Sequence, residues 1–204
     1  MNYIEFQKII PNVSRETFDN LSQYVDFLLE ANSSLNLISK STEKVIWDRH
    51  IIDSMQLMKF INSNDGPLFD VGSGAGFPGI ILSIAGVKTV YLVESRQKKA
   101  NFLENAAKFS PNKIIVLNER VELTTPIVGA TFVCRAFAPL NQIFTLCNNH
   151  INVAKNTIIP KGQNYINEVK FAKKEWKFNF SEHKTITSEE SRILIIKNLT
   201  RCKK

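Results

Sequence analysis

Leu68-Phe69-Asp70-Val71-Gly72-Ser73-Gly74-Ala75-Gly76-Phe77-Pro78-Gly79 is the stretch that decides the fold. A short apolar run ends in an acid, a glycine-rich turn follows at once, and apolar residues resume at helical spacing at Ile80, Ile81 and Ile84. That order predicts a buried strand, a tight loop and a helix, the first unit of an open α/β sheet. Glycine is required where the backbone takes positive φ, or where another group must approach closer than a Cβ allows.

Two ligand classes use such a loop. Gly74-Ala75-Gly76-Phe77-Pro78-Gly79 matches the dinucleotide pattern G-x-G-x-x-G. In that pattern the first glycine sits at the strand end and the helix amides face a pyrophosphate. Here the strand reads as ending well before Gly74, at Asp70, and Pro78 removes an amide from the turn. The alternating glycines led by Asp70 instead resemble the S-adenosylmethionine (AdoMet) loop of Rossmann-type methyltransferases. A purely structural glycine turn is the third option.

Outward from the loop, residues 89–94 read as the second strand. Glu94 stands about 20 residues beyond the glycines, where doubly wound folds place an acid that accepts from ribose hydroxyls. Residues 97–109 predict a helix burying Ala100, Leu103, Ala106 and Ala107, and 113–117 the third strand. Strand four, 131–134, runs into Arg135-Ala136-Phe137-Ala138-Pro139; a helix through Ile143, Leu146 and Ile151 leads to strand five at 157–162. A lysine-rich helix, a short strand near Phe178 and a last strand at 193–196 complete the chain. The expected fold is α/β: a Rossmann-like, mostly parallel seven-stranded sheet flanked by helices, with an N-terminal helical extension.

That extension covers residues 1–62, and the sheet domain residues 63–204, with the turn cluster Asn62-Ser63-Asn64-Asp65-Gly66-Pro67 between them. Phe18, Leu21, Tyr24, Val25, Leu28 and Leu29 form one amphipathic stripe, which Asn32-Ser33-Ser34 breaks. Ser41 or Thr42 caps a second long helix running through Ile46, His50, Ile51, Ser54, Met55, Met58 and Ile61. On it, Arg49 and Asp53 are one turn apart and suited to an ion pair. By spacing alone, His50 reads as part of an ordinary helix face.

At 204 residues the chain is long enough for one such domain with an appendage, and needs no disulfide or metal to hold it. Cys134, Cys147 and Cys202 are scattered and lack metal-ligand spacing, which predicts reduced thiols and no metal. Met1 to Phe6 has neither a basic stretch nor an apolar core, and no run approaches a membrane span. A cytoplasmic monomer without membrane contact is expected. The net charge of +7 favours a polyanionic partner.

The end of strand four bears on the chemistry. The [Asn/Asp]-Pro-Pro-[Tyr/Phe] motif of amino-group methylation is absent. Methylation at pyrimidine C5 needs a cysteine nucleophile, and Cys134 has no preceding proline, so it reads as a buried strand-end thiol. Arg135 cannot act as a base but can hold a phosphate or a guanine edge, and Phe137 can stack on a base. A cation and an aromatic with no base suit an acceptor that is already nucleophilic, such as guanine N7.

The whole pattern resembles the glucose-inhibited division protein B family, bacterial guanine-N7 methyltransferases of small-subunit ribosomal RNA. The resemblance rests on Asn36-Leu37, Arg49-His50 with Asp53-Ser54, the 70–79 loop, Arg120-Val121-Glu122, Arg135-Ala136-Phe137-Ala138 and Lys161-Gly162-Gln163, in that order. It implies an AdoMet-dependent enzyme acting on N7 of a guanine in the 530 loop of 16S rRNA, within the small ribosomal subunit. It moves Arg49 and His50 to the site, facing the methyl group, with Arg135 as the third catalytic candidate. Asp70, Gly72, Gly74, Gly76, Phe77, Glu94, Val121, Glu122 and Arg135 would hold AdoMet, with Val121 and Glu122 at the adenine. Glu94 stands where aspartate is common, and Cys134 where serine is common. Beyond residue 164 the resemblance is weak. A non-catalytic AdoMet- or nucleotide-binding ribosome-assembly factor is the competing reading.

If Glu94 accepts from ribose, Glu94→Ala weakens AdoMet binding roughly ten- to a hundredfold, and NAD does not compete. Calorimetry showing NAD bound more tightly than AdoMet would overturn this reading of the loop.

Overall fold

The computed structural model describes residues 1–62 and 65–203; Ser63 and Asn64 of the expected turn lie outside them. Seven strands, β1 (Leu68–Val71), β2 (Thr89–Val93), β3 (Lys113–Leu117), β4 (Thr131–Val133), β5 (Asn156–Lys161), β6 (Trp176–Lys184) and β7 (Arg192–Arg201), form one sheet in the order β3-β2-β1-β4-β5-β7-β6. The first five run parallel, and β7 pairs antiparallel with both β5 and β6. The strand order reverses between β1 and β4, and at such a switch point a crevice opens beyond the strands' carboxyl ends.

Strand β1 is buried along its whole length, which is why its sequence is a continuous apolar run interrupted only by Asp70. Strand alternation sends Leu68 into one core and Phe69 and Val71 into the other. The first core lies between the sheet, α5 (Gly79–Ile84) and α6 (Gln97–Ala106) on one side, and the N-terminal helices α1 (Tyr3–Ile9) and α2 (Arg15–Leu35) on the other. Phe6, Leu21, Tyr24 and Leu28 are fully buried there, each contributing about 1.5–3 kcal/mol of apolar burial. The second core packs α7 (Leu140–Val153) and α8 (Tyr165–Ala172) on the opposite face through Phe144, Cys147 and Trp176.

Three expectations need correction. Helix α2 does not break at Asn32 but runs on to Leu35 and ends at Asn36, whose φ of 49° is left-handed. Asn32 stays helical because its buried Oδ1 serves the chain beyond the helix, accepting from the Leu37 and Ile38 amides at 2.7 and 2.9 Å. The second long helix is likewise broken. Helix α3 (Lys40–Glu43) starts from Ser39, so Ser41 and Thr42 lie inside it. A π-turn (Trp47–Ile52), α4 (Asp53–Met55) and a 3-10 turn (Gln56–Phe60) follow. Trp47 stacks on Phe18 with ring centroids 5.2 Å apart while both Ile51 and Ile52 are buried, and a wider turn accommodates all three. Finally, β6 and β7 far outrun the short strands expected; β6 pairs only with β7, and its alternating exposure leaves little hydrophobic signal.

Loop 72–78 has little room behind it. A Cβ on Gly79 would sit 2.7 Å from Asp70 Oδ2 and would also overlap the Leu92 side chain. Gly79→Ala should therefore cost about 1–3 kcal/mol by overpacking. Gly162→Ala, with nothing within 4 Å, should leave the melting temperature unchanged. Equal melting temperatures for the two variants in calorimetry would contradict this packing.

Candidate active site

The crevice at the switch point is a cavity of about 520 Å³, lined by the 71–75 loop, Phe77, the 93–96 turn, the 119–122 turn and the 135–138 turn. The loop is pinned from below. The Gly72 and Ser73 amides donate to the Val93 carbonyl at 2.9 and 3.1 Å, which ties the end of β1 to β2. Gly72 has φ of 72°, and a Cβ there would fall 2.5 Å from the Phe137 ring, so only glycine lets these two turns close on one another. From the helical layer, the buried Tyr24 hydroxyl donates to the Ala75 carbonyl, and the Tyr24 ring meets Phe77 edge-on with centroids 5.9 Å apart.

Asp70 stands behind the loop. It is fully buried, its Oδ2 accepts from the Gly79 amide at 3.0 Å, and burial pushes its pKa up to about 7. Glu94, at the end of β2, faces the cavity, as do Glu119 and Glu122 from the neighbouring turn. The Gly74 amide donates to one of the Glu94 oxygens at 3.1 Å and the Arg96 amide to the other at 2.8 Å. Because each carboxylate oxygen has two lone pairs, acceptor capacity remains toward the cavity.

On the far side Arg135 gathers the site. Its Nη1 donates to Asp53 Oδ2 at 2.9 Å and to the Arg49 carbonyl at 3.0 Å, and its Nη2 to His50 Nδ1 at 2.8 Å. A guanidinium only donates, so His50 Nδ1 is the acceptor and the ring proton sits on Nε2. His50 stacks on Phe77 with centroids 4.7 Å apart. Burial first, and then the Arg135 charge, lower its pKa to about 4, outweighing Asp53. Ala136, between Arg135 and Phe137, has φ of 52°, a strained conformation for a non-glycine residue that turns both neighbours into the crevice. A second cavity, of about 410 Å³, opens on the other side of this turn and shares His50 and residues 135–138 with the first.

A family model described as GidB, rRNA small subunit methyltransferase G, matches residues 17–196. The chain belongs to the GidB family. Ribosomal RNA small subunit methyltransferase G of Rickettsia bellii is 45% identical over 190 residues, covering 93% of this chain and 98% of that protein. Its counterpart in Rickettsia akari is 44% identical over 189 residues, with 93% and 98% covered. Among solved structures, magnesium protoporphyrin IX methyltransferase from Synechocystis PCC 6803 with bound SAM aligns at a TM-score of 0.56 and 13% identity, over 91% of this chain and 98% of that one. Ribosomal protein L11 methylase from Lactobacillus delbrueckii subsp. bulgaricus aligns at 0.56 and 15% identity, over 71% and 75%. These two likenesses are of fold, and they show the AdoMet methyltransferase fold.

In this GidB-family chain the first cavity brings together Gly72, Gly74, Phe77, Glu94, Val121, Glu122, Arg135 and His50. Asp70 and Gly76 are not on its wall, and Arg49 lines the second cavity instead. The anticipated Arg49–Asp53 ion pair is replaced by Arg135–Asp53, because the π-turn carries Asp53 toward the end of β4. Glu122 pairs with Arg120 at 2.8 Å, which holds its carboxyl below the usual range. Sequence reasoning missed Tyr24, which looked like any core aromatic. It also missed Gln56 and Thr187, which donate to Asp53 Oδ1 at 2.9 and 2.7 Å. Thr187 comes from the loop between β6 and β7, and no local pattern links it to residue 53.

The Arg135–His50 contact has a direct spectroscopic consequence. In the wild type, His50 stays neutral above pH 6, with a midpoint near 4. In Arg135→Met, where the donor and its charge are gone, the midpoint rises while burial keeps it below the ordinary value of about 6.5. Imidazole NMR titration reads both, and an unchanged midpoint in the variant would refute the contact.

Proposed function

We propose that this chain methylates N7 of a guanine in the 530 loop of 16S rRNA, with AdoMet as donor. The observation that carries the reading is the wall common to the two cavities. Among the described residues its only titratable side chains are His50, whose Nδ1 lone pair is already engaged, and Arg135, which is always protonated. Such a wall can align a nucleophile but cannot take a proton from it, and guanine N7 has none to lose. Family membership and the AdoMet methyltransferase fold support the same conclusion.

The residues present fit AdoMet. The first cavity lies within the range of small-molecule sites, Glu94 offers free lone pairs for ribose hydroxyls, and the buried Val121 gives an apolar wall for the adenine ring. When bound, AdoMet supplies an electrophilic methyl carbon on a sulfonium. Glu94 and the 72–74 backbone hold the nucleoside end. Phe77 and Phe137 shut water from the junction of the cavities, and Arg135 with His50 keeps that wall in one geometry. What the protein contributes is alignment, an orientational and entropic effect. The +7 charge supplies the attraction for RNA phosphates.

The groups around His50 are Arg49, Asp53 and Arg135, and its pKa of about 4 lies below the working range. Single-turnover methyl transfer to small-subunit rRNA should therefore be nearly flat from about pH 6 to 8.5. His50→Gln should keep part of the rate. A rise with a midpoint near 6.5 that the substitution abolishes would show proton transfer and exclude N7 as acceptor. Binding of AdoMet and RNA without any turnover would instead favour the assembly-factor reading.

A further inference from the structure

Adenine carries the same N7 as guanine, so alignment at N7 cannot choose between them; the choice has to be made at another edge of the base. The second cavity contains two carboxylates. Asp53 is largely committed: Oδ1 accepts from both Gln56 and Thr187, and Oδ2 accepts from Arg135 in an ion pair. Glu168 is not. Its Oε2 accepts from the Leu140 amide at 2.8 Å and from Lys161 Nζ at 2.7 Å, while among the described residues nothing pairs with Oε1. Lys161 also has capacity left. An ammonium has three hydrogens, and Lys161 directs them to Glu168 and, at 2.7 Å, to the Ala138 carbonyl, so one remains. Both side chains are held from behind, in a cavity whose near wall is the 135–138 turn shared with the first cavity.

We infer that Glu168 and Lys161 read the Watson–Crick edge of the acceptor guanine in this second cavity. The inference rests on the N7 reading above. In a purine the Watson–Crick edge adjoins the edge that carries N7, so a guanine with N7 turned toward the first cavity presents O6 and N1–H to the neighbouring second cavity. Guanine offers there an acceptor, O6, beside a donor, N1–H; Lys161 donates to the first and Glu168 Oε1 accepts from the second. Adenine reverses both positions, setting its amino group against the ammonium and its bare N1 against the carboxylate. A site built to satisfy such a donor–acceptor pair rejects the base lacking it, because its own polar groups are left unpaired. The target base must leave the stack to reach this depth, as bases do in enzymes acting on them. Arg49, on the same cavity, is placed for the backbone phosphate.

The test needs no variant to begin with. Small subunits reconstituted with rRNA carrying guanine, hypoxanthine, 2-aminopurine or 7-deazaguanine at the target position are assayed for methylation by the protein, with the naked RNAs in parallel. Hypoxanthine keeps O6 and N1–H and should react within a few-fold of guanine. 2-Aminopurine keeps N7 but loses both, and kcat/KM should fall roughly 10- to 100-fold. Equal rates for guanine and 2-aminopurine would overturn the inference while leaving N7 transfer intact. Methylation of 7-deazaguanine would overturn the N7 reading, and this one with it.

Glu168→Gln then separates recognition from structure. The Leu140 amide and Lys161 both require an acceptor, so the glutamine oxygen takes the Oε2 place and its NH2 the Oε1 place, turning an acceptor into a donor. Guanine should lose about tenfold or more in kcat/KM while 2-aminopurine, whose N1 accepts, does not, so the preference between them shrinks. A purely structural Lys161–Glu168 strut would lower both in proportion, and that result would overturn the assignment.

Discussion

Arg135 is the tie on which the site depends. One guanidinium binds the carbonyl of Arg49, the carboxylate of Asp53 and the ring of His50, so the end of β4 is joined to the N-terminal helical layer at three points. Asp53 extends the tie to the loop between β6 and β7 through Thr187. The pair is largely withdrawn from water, so removing one partner leaves an unpaired charge and costs about 3–5 kcal/mol. Lysine could not replace the arginine, because the arrangement uses the planar fork. His50 is neutral chiefly through burial and next through the Arg135 charge, and the same contact occupies its Nδ1 lone pair, so among the described residues no free base stands at the junction of the cavities.

Positions that are costly in themselves cluster around this tie. Ala136 is strained at positive φ, at roughly 1–3 kcal/mol, and Asp70 is a carboxylate buried with only Oδ2 hydrogen-bonded. Both costs are offset by packing on each side of the sheet, and both act on the crevice. Ala136 aims Arg135 and Phe137. Asp70 receives the first amide of α5 and fixes where the loop turns into the helix. The N-terminal helices take part as well. Tyr24 from α2 holds the loop at Ala75, and Trp47 and Phe18 brace the π-turn that carries His50.

Two cavities meeting at one turn suit a group transfer between a small donor and a base on a large polyanion. On the reading proposed above, the donor side offers backbone and the Glu94 carboxylate to the hydroxyls of a nucleoside, with Glu119 and Glu122 on the same wall. The proposed acceptor side is built from ion pairs, Arg135–Asp53 and Lys161–Glu168, each with hydrogen-bonding capacity committed to the protein. On that proposal, specificity for the base resides in whatever capacity those pairs leave over.

Local chemistry in the sequence was enough for the core of this protein. The buried run of β1, the glycine turn, Glu94 at the end of β2 and Arg135 beyond β4 each sit next to the residues that define them, so spacing located the strand ends around the crevice, while His50, Val121 and Glu122 were reached only through the family resemblance. Glycines at alternate positions can be read because positive φ and close approach are local demands. What only the tertiary structure decided is which distant groups meet there. Asp53 pairs with Arg135 rather than with Arg49 one turn away, since a π-turn imposed by packing against α2 rotates it. Tyr24, Thr187 and Glu168 come from three separate elements, and their sequence neighbourhoods are those of an ordinary core residue, a loop and a surface helix. Their roles arise from hydrogen bonds across 51, 134 and 28 positions of chain, which no periodicity encodes because only the assembled fold brings those positions together.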